Sequence, residues 1–238
     1  MHRLDKILVD SGCYTRSEAK RLINQGRVTV DGVAVRQAAE KFDRSVVTIA
    51  VSGQALQSEE FVYLMMNKPA GVLSATRDGK GETVVDLLPP RYGKLGLFPA
   101  GRLDKDSVGL LLLTNDGALA HDLLHPKRHV EKRYYVEVDG ALNCTDVIAF
   151  ETGMTMAAGE VFLPAGLELL DKETAAIVTL REGKYHQIKR MLGSLGKPVT
   201  YLKRLSMGAL LLDEALMEGA FRPLTESEQA AILLHKKR

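Results

Sequence analysis

The 238 residues contain no tryptophan and only two cysteines, and aromatic residues make up just 5% of the chain. Cys13 and Cys144 are isolated and lack metal-ligand spacing, which argues against a disulfide framework and against a zinc motif. Both are expected to be small packing residues of a reduced, cytoplasmic protein. No run of about 18 apolar residues occurs, so no membrane span is expected. The opening Met1-His2-Arg3-Leu4-Asp5-Lys6 carries an early acid and no apolar stretch, unlike a secretory leader. There is no internal repeat and no low-complexity segment. What remains is ordinary: 45% hydrophobic and 26% charged residues describe a globular chain, long enough for a small module plus a larger domain.

The net charge of +2 hides an uneven distribution. Residues 1–44 hold nine Lys/Arg against six Asp/Glu, and residues 181–204 hold seven against Glu182 alone. Two basic segments in a near-neutral chain suggest a polyanion partner, most simply a nucleic acid, with a solvated basic face an equal alternative on charge alone.

The first module reads as two helices and a hairpin. Leu4, Ile7 and Leu8 share one helical face, and Gly12 stops that helix. Thr15-Arg16-Ser17-Glu18 is a capping box that opens a helix over 16–24, with Ala19, Leu22 and Ile23 inward and Arg16, Lys20 and Asn24 outward. Val28 to Val35 alternates around Asp31-Gly32, a strong hairpin signal. The polar stretch 53–60 reads as a linker. Residues 61–238 read as one α+β domain. Strands are predicted at 61–66, 110–114, 134–138, 167–170, 175–180, 199–203 and 208–212. Helices are predicted near 118–125 (ended by Pro126), 145–152 and 186–195. Thr225-Glu226-Ser227-Glu228 caps a last helix, whose end Lys236, Lys237 and Arg238 suit electrostatically.

One segment carries the chemistry. Gly101-Arg102-Leu103-Asp104-Lys105-Asp106-Ser107-Val108-Gly109 leads directly into the apolar strand Leu110–Leu113, which closes on an Asn115-Asp116-Gly117 turn. A carboxylate on a loop braced by a rigid strand can be held in a fixed position, as catalysis requires. Asp104 and Asp106 could in principle form a glycosidase pair, but no carbohydrate signature accompanies them. Asp106 is read as a hydrogen-bonding residue within the loop. His121, His125 and His129 recur every four residues, yet Pro126 interrupts the helix and no ligand cluster completes a metal site, so solvated or capping roles are expected.

Two resemblances give these patterns a meaning. Arg3-Leu4-Asp5-Lys6 with Val28-Thr29-Val30-Asp31-Gly32 resembles the S4 RNA-binding domain, which implies Arg3, Arg16, Lys20, Arg21 and Arg27 as phosphate contacts. The larger domain resembles the pseudouridine synthases that modify ribosomal RNA, and within them the small-subunit branch. The motifs that carry this are Asn67-Lys68-Pro69-Ala70-Gly71, Gly101-Arg102-Leu103-Asp104 with Ser107-Val108-Gly109-Leu110, Lys132-Arg133-Tyr134, Gly183–Leu192 and Phe221–Thr225. The implied architecture is an S4-like ααββ module (1–52), a linker (53–60) and a catalytic domain (61–238) with a mixed, mainly antiparallel sheet.

The resemblance implies isomerisation of a uridine in small-subunit ribosomal RNA, with no cofactor and no metal, since the reaction is neither redox nor phosphoryl transfer. Asp104 is then the nucleophile at C1′ or the base at C2′; the sequence leaves both open. Either role needs an ionised carboxylate, which a nearby cation favours. Lys189 is placed in that role, with Arg190 as the alternative, since neighbours on a helix diverge by about 100°. The base must leave its stack. Tyr134 packs on it, Tyr135 faces the other way, and Arg102 fills the gap left in the RNA. Leu192 belongs to the pocket wall or to the core. His186 is read as structural or RNA-facing. Lys68 either touches phosphate or ends a strand. The expected partner is ribosomal RNA or a small-subunit assembly intermediate, acted on by a monomer. A large-subunit synthase of the same superfamily and a non-catalytic RNA-binding assembly factor are the competing readings.

Overall fold

The computed structural model describes residues 1–11, 13–43, 46–56, 61–125, 128–157 and 159–234. The stops expected at Gly12 and Pro126, the second half of the expected linker and the terminal Lys236, Lys237 and Arg238 lie outside the described residues. The chain divides into two units, Met1–Val62 with Val85–Phe98, and Tyr63–Val84 with Pro99–Arg238.

In the first unit a two-residue strand β1 (His2–Arg3) precedes α1 (Leu4–Asp10) and α2 (Arg16–Asn24). The capping box is formed: the Glu18 amide donates to the Thr15 hydroxyl, and the Glu18 carboxylate accepts from the Thr15 amide at 2.7 Å. Strands β2 (Val28–Val30), β3 (Val33–Val35), β4 (Lys41–Phe42), β5 (Ile49–Val51) and β6 (Gln54–Ala55) follow. The β2–β3 turn puts Asp31 and Gly32 at φ 49° and 83°, the geometry that an Asp-Gly hairpin supplies. Ser52 and Gly53, at φ 51° and 82°, repeat it between β5 and β6. The segment expected to be a linker from residue 53 therefore begins as a fourth strand, in the order β3-β2-β5-β6. Its two-residue length hid it from the alternation pattern. Leu4, Ile7, Leu8, Ala19, Leu22 and Ile23 pack on Val28, Val30, Val35, Ile49 and Val51 to form the core. A short helix α3 (Pro90–Gly93) belongs to the 85–98 segment.

The second unit is built on one sheet. Its members are β7 (Tyr63–Lys68), β8 (Phe98–Ala100), β9 (Val108–Thr114), β10 (Lys132–Val138), β13 (Gly166–Leu169), β14 (Ala175–Leu180), β15 (Val199–Met207), β16 (Leu210–Leu211) and β17 (Phe221–Pro223). The path runs β13-β14-β10-β15-β9-β7-β17, with β8 on β9 and β16 on β15. The β15–β9 pair is parallel and the other registered pairs are antiparallel, so the sheet is mixed and mainly antiparallel. Helices α4 (Gly117–Leu124), α5 (Cys144–Thr152), α6 (Gln187–Ser194) and α7 (Glu226–Leu233), with a small hairpin β11 (Met154–Thr155) and β12 (Val161–Phe162), complete the unit.

Every residue of β7 and β9 is buried, which is what a continuous apolar run in a central strand means. β7 starts later than residue 61 and carries Asn67 and Lys68 into the sheet, so the expected turn begins only after Lys68. β15 runs on to Met207 where a strand ending at 203 was expected, because Lys203 and Arg204 masked its continuity, and the strand expected at 208–212 is the two-residue β16. Arg133 and Tyr134 face Ser206 and Arg204, leaving Leu205 as an extra residue, a bulge of the kind that re-aims side chains beside sites. Asp116 is the N-cap of α4, accepting from the Leu119 amide at 3.0 Å and from the Tyr63 hydroxyl at 2.9 Å. Cys13 and Cys144 are exposed, against the packing role expected for them; Cys144 opens α5 on its outer side.

Candidate active site

The loop 103–107 is fastened to segment 68–74 by backbone and side chains together. Ser74 bridges Leu103, its hydroxyl accepting from the Leu103 amide at 3.0 Å and donating to the Leu103 carbonyl at 2.9 Å. The Gly71 amide donates to the Lys105 carbonyl at 2.8 Å. Lys68, fully buried, donates from Nζ to the carbonyls of Pro69, Lys105 and Ser107 at 2.9, 3.2 and 2.9 Å. The carboxylate of Asp104 is thus presented from a loop tied down on both sides. Lys68 braces the loop and does not reach phosphate, which corrects one of its two expected roles.

Gly109 explains why this loop must enter β9 through glycine. Its φ is 101°, and a Cβ there would sit 2.4 Å from the Arg204 carbonyl oxygen of β15. Only a residue without a side chain lets β15 pair in parallel with β9 at this point. Arg204 is itself 2% exposed and donates from Nε to the Leu110 carbonyl at 2.7 Å.

Two side chains converge on Asp104. Lys189 Nζ lies 3.2 Å from its Oδ2 and His186 Nε2 lies 3.4 Å from its Oδ1. His186 is the N-cap residue of α6 and Lys189 its third residue, a spacing of three that puts both on one face. Lys189 also donates to Asp106 Oδ1 at 2.6 Å, so one ammonium serves two carboxylates. Asp106 therefore reaches across to α6, where a bond within its own loop was expected. The hydrogen bond from Lys189 draws the Asp106 carboxyl below its usual range. Burial would lower Lys189, but the hydrogen bond it donates to Asp106 and the charge of Asp104 outweigh it and hold the ammonium above its ordinary value.

Around this cluster a pocket is lined by Arg102, Asp104, Ser107, Tyr134, His186 and Lys189, with Leu103, Leu180, Ile188 and Leu202 as apolar wall. Tyr134 is buried, whereas Tyr135 points away and donates from its hydroxyl to Glu137 at 2.6 Å. Arg102 is exposed at the rim. The Ser107 hydroxyl is buried with no hydrogen-bond partner among the described residues.

Two expected pocket residues lie elsewhere. Arg190 turns from Asp104, pairs with Glu160 at 2.6 Å and lies over the Phe162 ring at 4.9 Å. The helical rotation between positions 189 and 190 decides this. Leu192 is fully buried in the core with Val136, Phe150 and Phe162, not in the pocket wall. In the first unit Arg16, Lys20, Arg21 and Arg27 are exposed, whereas Arg3 is engaged by Asp5 through Nε and Nη2 at 3.0 and 2.8 Å. Of the spaced histidines, His121 and His125 meet edge to face at 5.1 Å and His125 ends α4.

The sequence missed Lys184, Gln187 and Ser107 as pocket residues. It also missed the contact of His186 with Asp104, although the i, i+3 spacing from His186 to Lys189 could have signalled it.

Residues 62–194 match the family model described as RNA pseudouridylate synthase, and residues 2–47 match that of the S4 domain. The chain belongs to the RNA pseudouridylate synthase family. The synthase is 47% identical over 229 residues to an uncharacterized RNA pseudouridine synthase of Bacillus subtilis, YtzG, covering 95% of this chain and 96% of that one. It is 39% identical to ribosomal small subunit pseudouridine synthase A of Vibrio cholerae, covering 97% and 99%. A solved structure described as a pseudouridylate synthase superposes with a TM-score of 0.68 at 35% identity, covering 98% of this chain and all of that one. No helix among the described residues is long and apolar enough to cross a membrane.

Proposed function

We propose that the synthase isomerises a particular uridine of small-subunit ribosomal RNA, with Asp104 as the carboxylate that acts on the ribose. The observation that carries this reading is the Asp104–Lys189 contact at 3.2 Å in a pocket walled by Tyr134. The C1′–N1 bond breaks, C1′–C5 forms, a proton leaves C5 and N1 takes one up, so electrons balance without an external oxidant or reductant. A carboxylate attacking C1′, or removing the C2′ proton, serves this sequence of steps. Lys189 sets an ammonium beside the carboxylate, and His186 sets an imidazole nitrogen 3.4 Å from Oδ1.

The target base enters the pocket extruded from its stack, a cost that packing against the Tyr134 ring offsets in part. Arg102, at the rim, occupies the place the base leaves. Arg16, Lys20, Arg21 and Arg27 of the S4 module contribute phosphate contacts that hold the RNA without reading its sequence. Full-length relatives named for the small ribosomal subunit support that choice of substrate. The reading further takes residues 1–52 as the RNA-binding module and 61–238 as the catalytic domain, acting in the cytoplasm.

Mapping pseudouridine along ribosomal RNA from cells with and without the protein tests this. One small-subunit position loses the modification when the protein is absent. Loss at a large-subunit position only, or at none, contradicts the proposal.

A further inference from the structure

Tyr185 is a large aromatic residue left 74% exposed at the threshold of the pocket. Its ring lies against His186, with centroids 3.8 Å apart and planes inclined by 18°, and His186 in turn touches Asp104. The loop that presents the two rings is held in shape. The Lys184 amide donates to Gln187 Oε1 at 3.2 Å, and Arg190 Nη1 reaches the Tyr185 carbonyl at 3.4 Å. His186 adopts a left-handed backbone, φ 48°, which a non-glycine residue keeps only where its surroundings impose it. Lys184 is also fixed, donating from Nζ to the Val161 carbonyl.

The inner face of the Tyr185 ring is taken by the imidazole, and the outer face is offered to solvent. An exposed flat ring in a basic segment, parallel to a ring that contacts the carboxylate, has the chemistry of a stacking platform for a nucleobase. From these contacts we propose that Tyr185 is the binding site for a base next to the target uridine, which stacks on its outer face while the uridine occupies the pocket. Stacking is tolerant of base identity, so the platform holds the unpaired neighbour in place without selecting its sequence. The inference rests on the synthase reading of the pocket and adds to it a second base-binding position. Tyr185 would act by positioning and has no part in the bond changes.

The test measures binding in the intact protein, separately from catalysis. The probe is an RNA pentanucleotide with a central uridine and 2-aminopurine on its 5′ or its 3′ side. With the wild-type protein one of the two probes is quenched on binding. Tyr185→Ala removes that quench and weakens affinity by roughly 5- to 150-fold, the range for losing one base–aromatic stack. Tyr185→Phe, which keeps the ring, restores both. Replacing the flanking nucleotide by an abasic one weakens binding to the wild type but not to Tyr185→Ala. An equal quench in the wild type and Tyr185→Ala, no quench of either probe by the wild type, or an equal abasic penalty in both proteins overturns the proposal. Failure of the synthase reading would appear separately, as absence of pseudouridine in ribosomal RNA.

Discussion

Two groups of charged residues in the catalytic unit lie close together in sequence motifs and behave in opposite ways. Asp104, Asp106, His186 and Lys189 are partly open to solvent and share one another: a single ammonium spans two carboxylates, and an imidazole leans on one of them. Lys68, Arg204 and Lys132 are buried, and their hydrogen bonds go to backbone carbonyls. Burial pushes the Lys68 ammonium down to about 8, against the raising charges of Asp106 and Asp104, and pushes Lys132 to about 8 as well. The first group has its charges shared among side chains and open to solvent. The second is committed to the backbone and fixes the loop and strands that carry the first. The comparison teaches that cations around the Asp104 loop divide into those paired with carboxylates and those that hold the backbone, and that partner type tells them apart.

Substitutions can break this division. Asp104→Asn is expected to reduce pseudouridine formation by at least roughly 100-fold, with RNA affinity within a few fold, in paired rate and binding assays. Lys189→Met is expected to cost roughly 10- to 100-fold in rate, the value of a hydrogen bond to a charged group. Arg190→Met, one residue along, is expected to stay within about threefold. Equal losses at 189 and 190 would mean that the geometry of α6 does not sort them.

Lys68→Met tests the other group. Leaving three carbonyls without their donor is expected to lower unfolding free energy by about 2–4 kcal/mol in denaturant titration. A variant as stable as the wild type would show that the loop is held by other means.

How much of this was legible in sequence depended on whether the signal was local. The Thr15 and Thr225 caps, the Asp31-Gly32 hairpin and the apolar run into β9 are encoded in contiguous residues, and they stand where the patterns put them. The pairing of Lys189 with Asp104 was reached through a motif resemblance and helical geometry. The burial of Lys68 and Arg204 was not legible, because a cation's partners there are carbonyls that every residue possesses. The turn to Asp106 from Lys189 spans 83 residues and has no local signature. β6 escaped because two residues are too few to alternate.

A further contrast lies outside the pocket, in the bidentate Arg222–Glu228 pair that fastens α7 to β17. The Arg222 hydrogen bonds pull the Glu228 carboxyl down from 4.5 to about 2. A depressed carboxyl contributes stability above its unfolded value and loses it as pH falls through the folded one. The wild type is therefore expected to exceed Glu228→Gln in stability by about 1–3 kcal/mol above pH 4.5, with the gap closing between 4.5 and about 2. A gap independent of pH would show that the contribution is not ionic. The smallest effect concerns the first unit: replacing any one of Arg16, Lys20, Arg21 or Arg27 by Gln is expected to reduce the salt slope of RNA binding by about 0.7–0.9, the share of one phosphate contact. An unchanged slope would remove that residue from the interface.

The most direct measurement is a single-turnover time course of pseudouridine formation on small-subunit ribosomal RNA from cells lacking the protein, comparing wild type and Asp104→Asn at saturating enzyme. The account predicts conversion of one uridine by the wild type and none by the variant, with both proteins bound to the RNA. Conversion by Asp104→Asn within tenfold of the wild-type rate would contradict it.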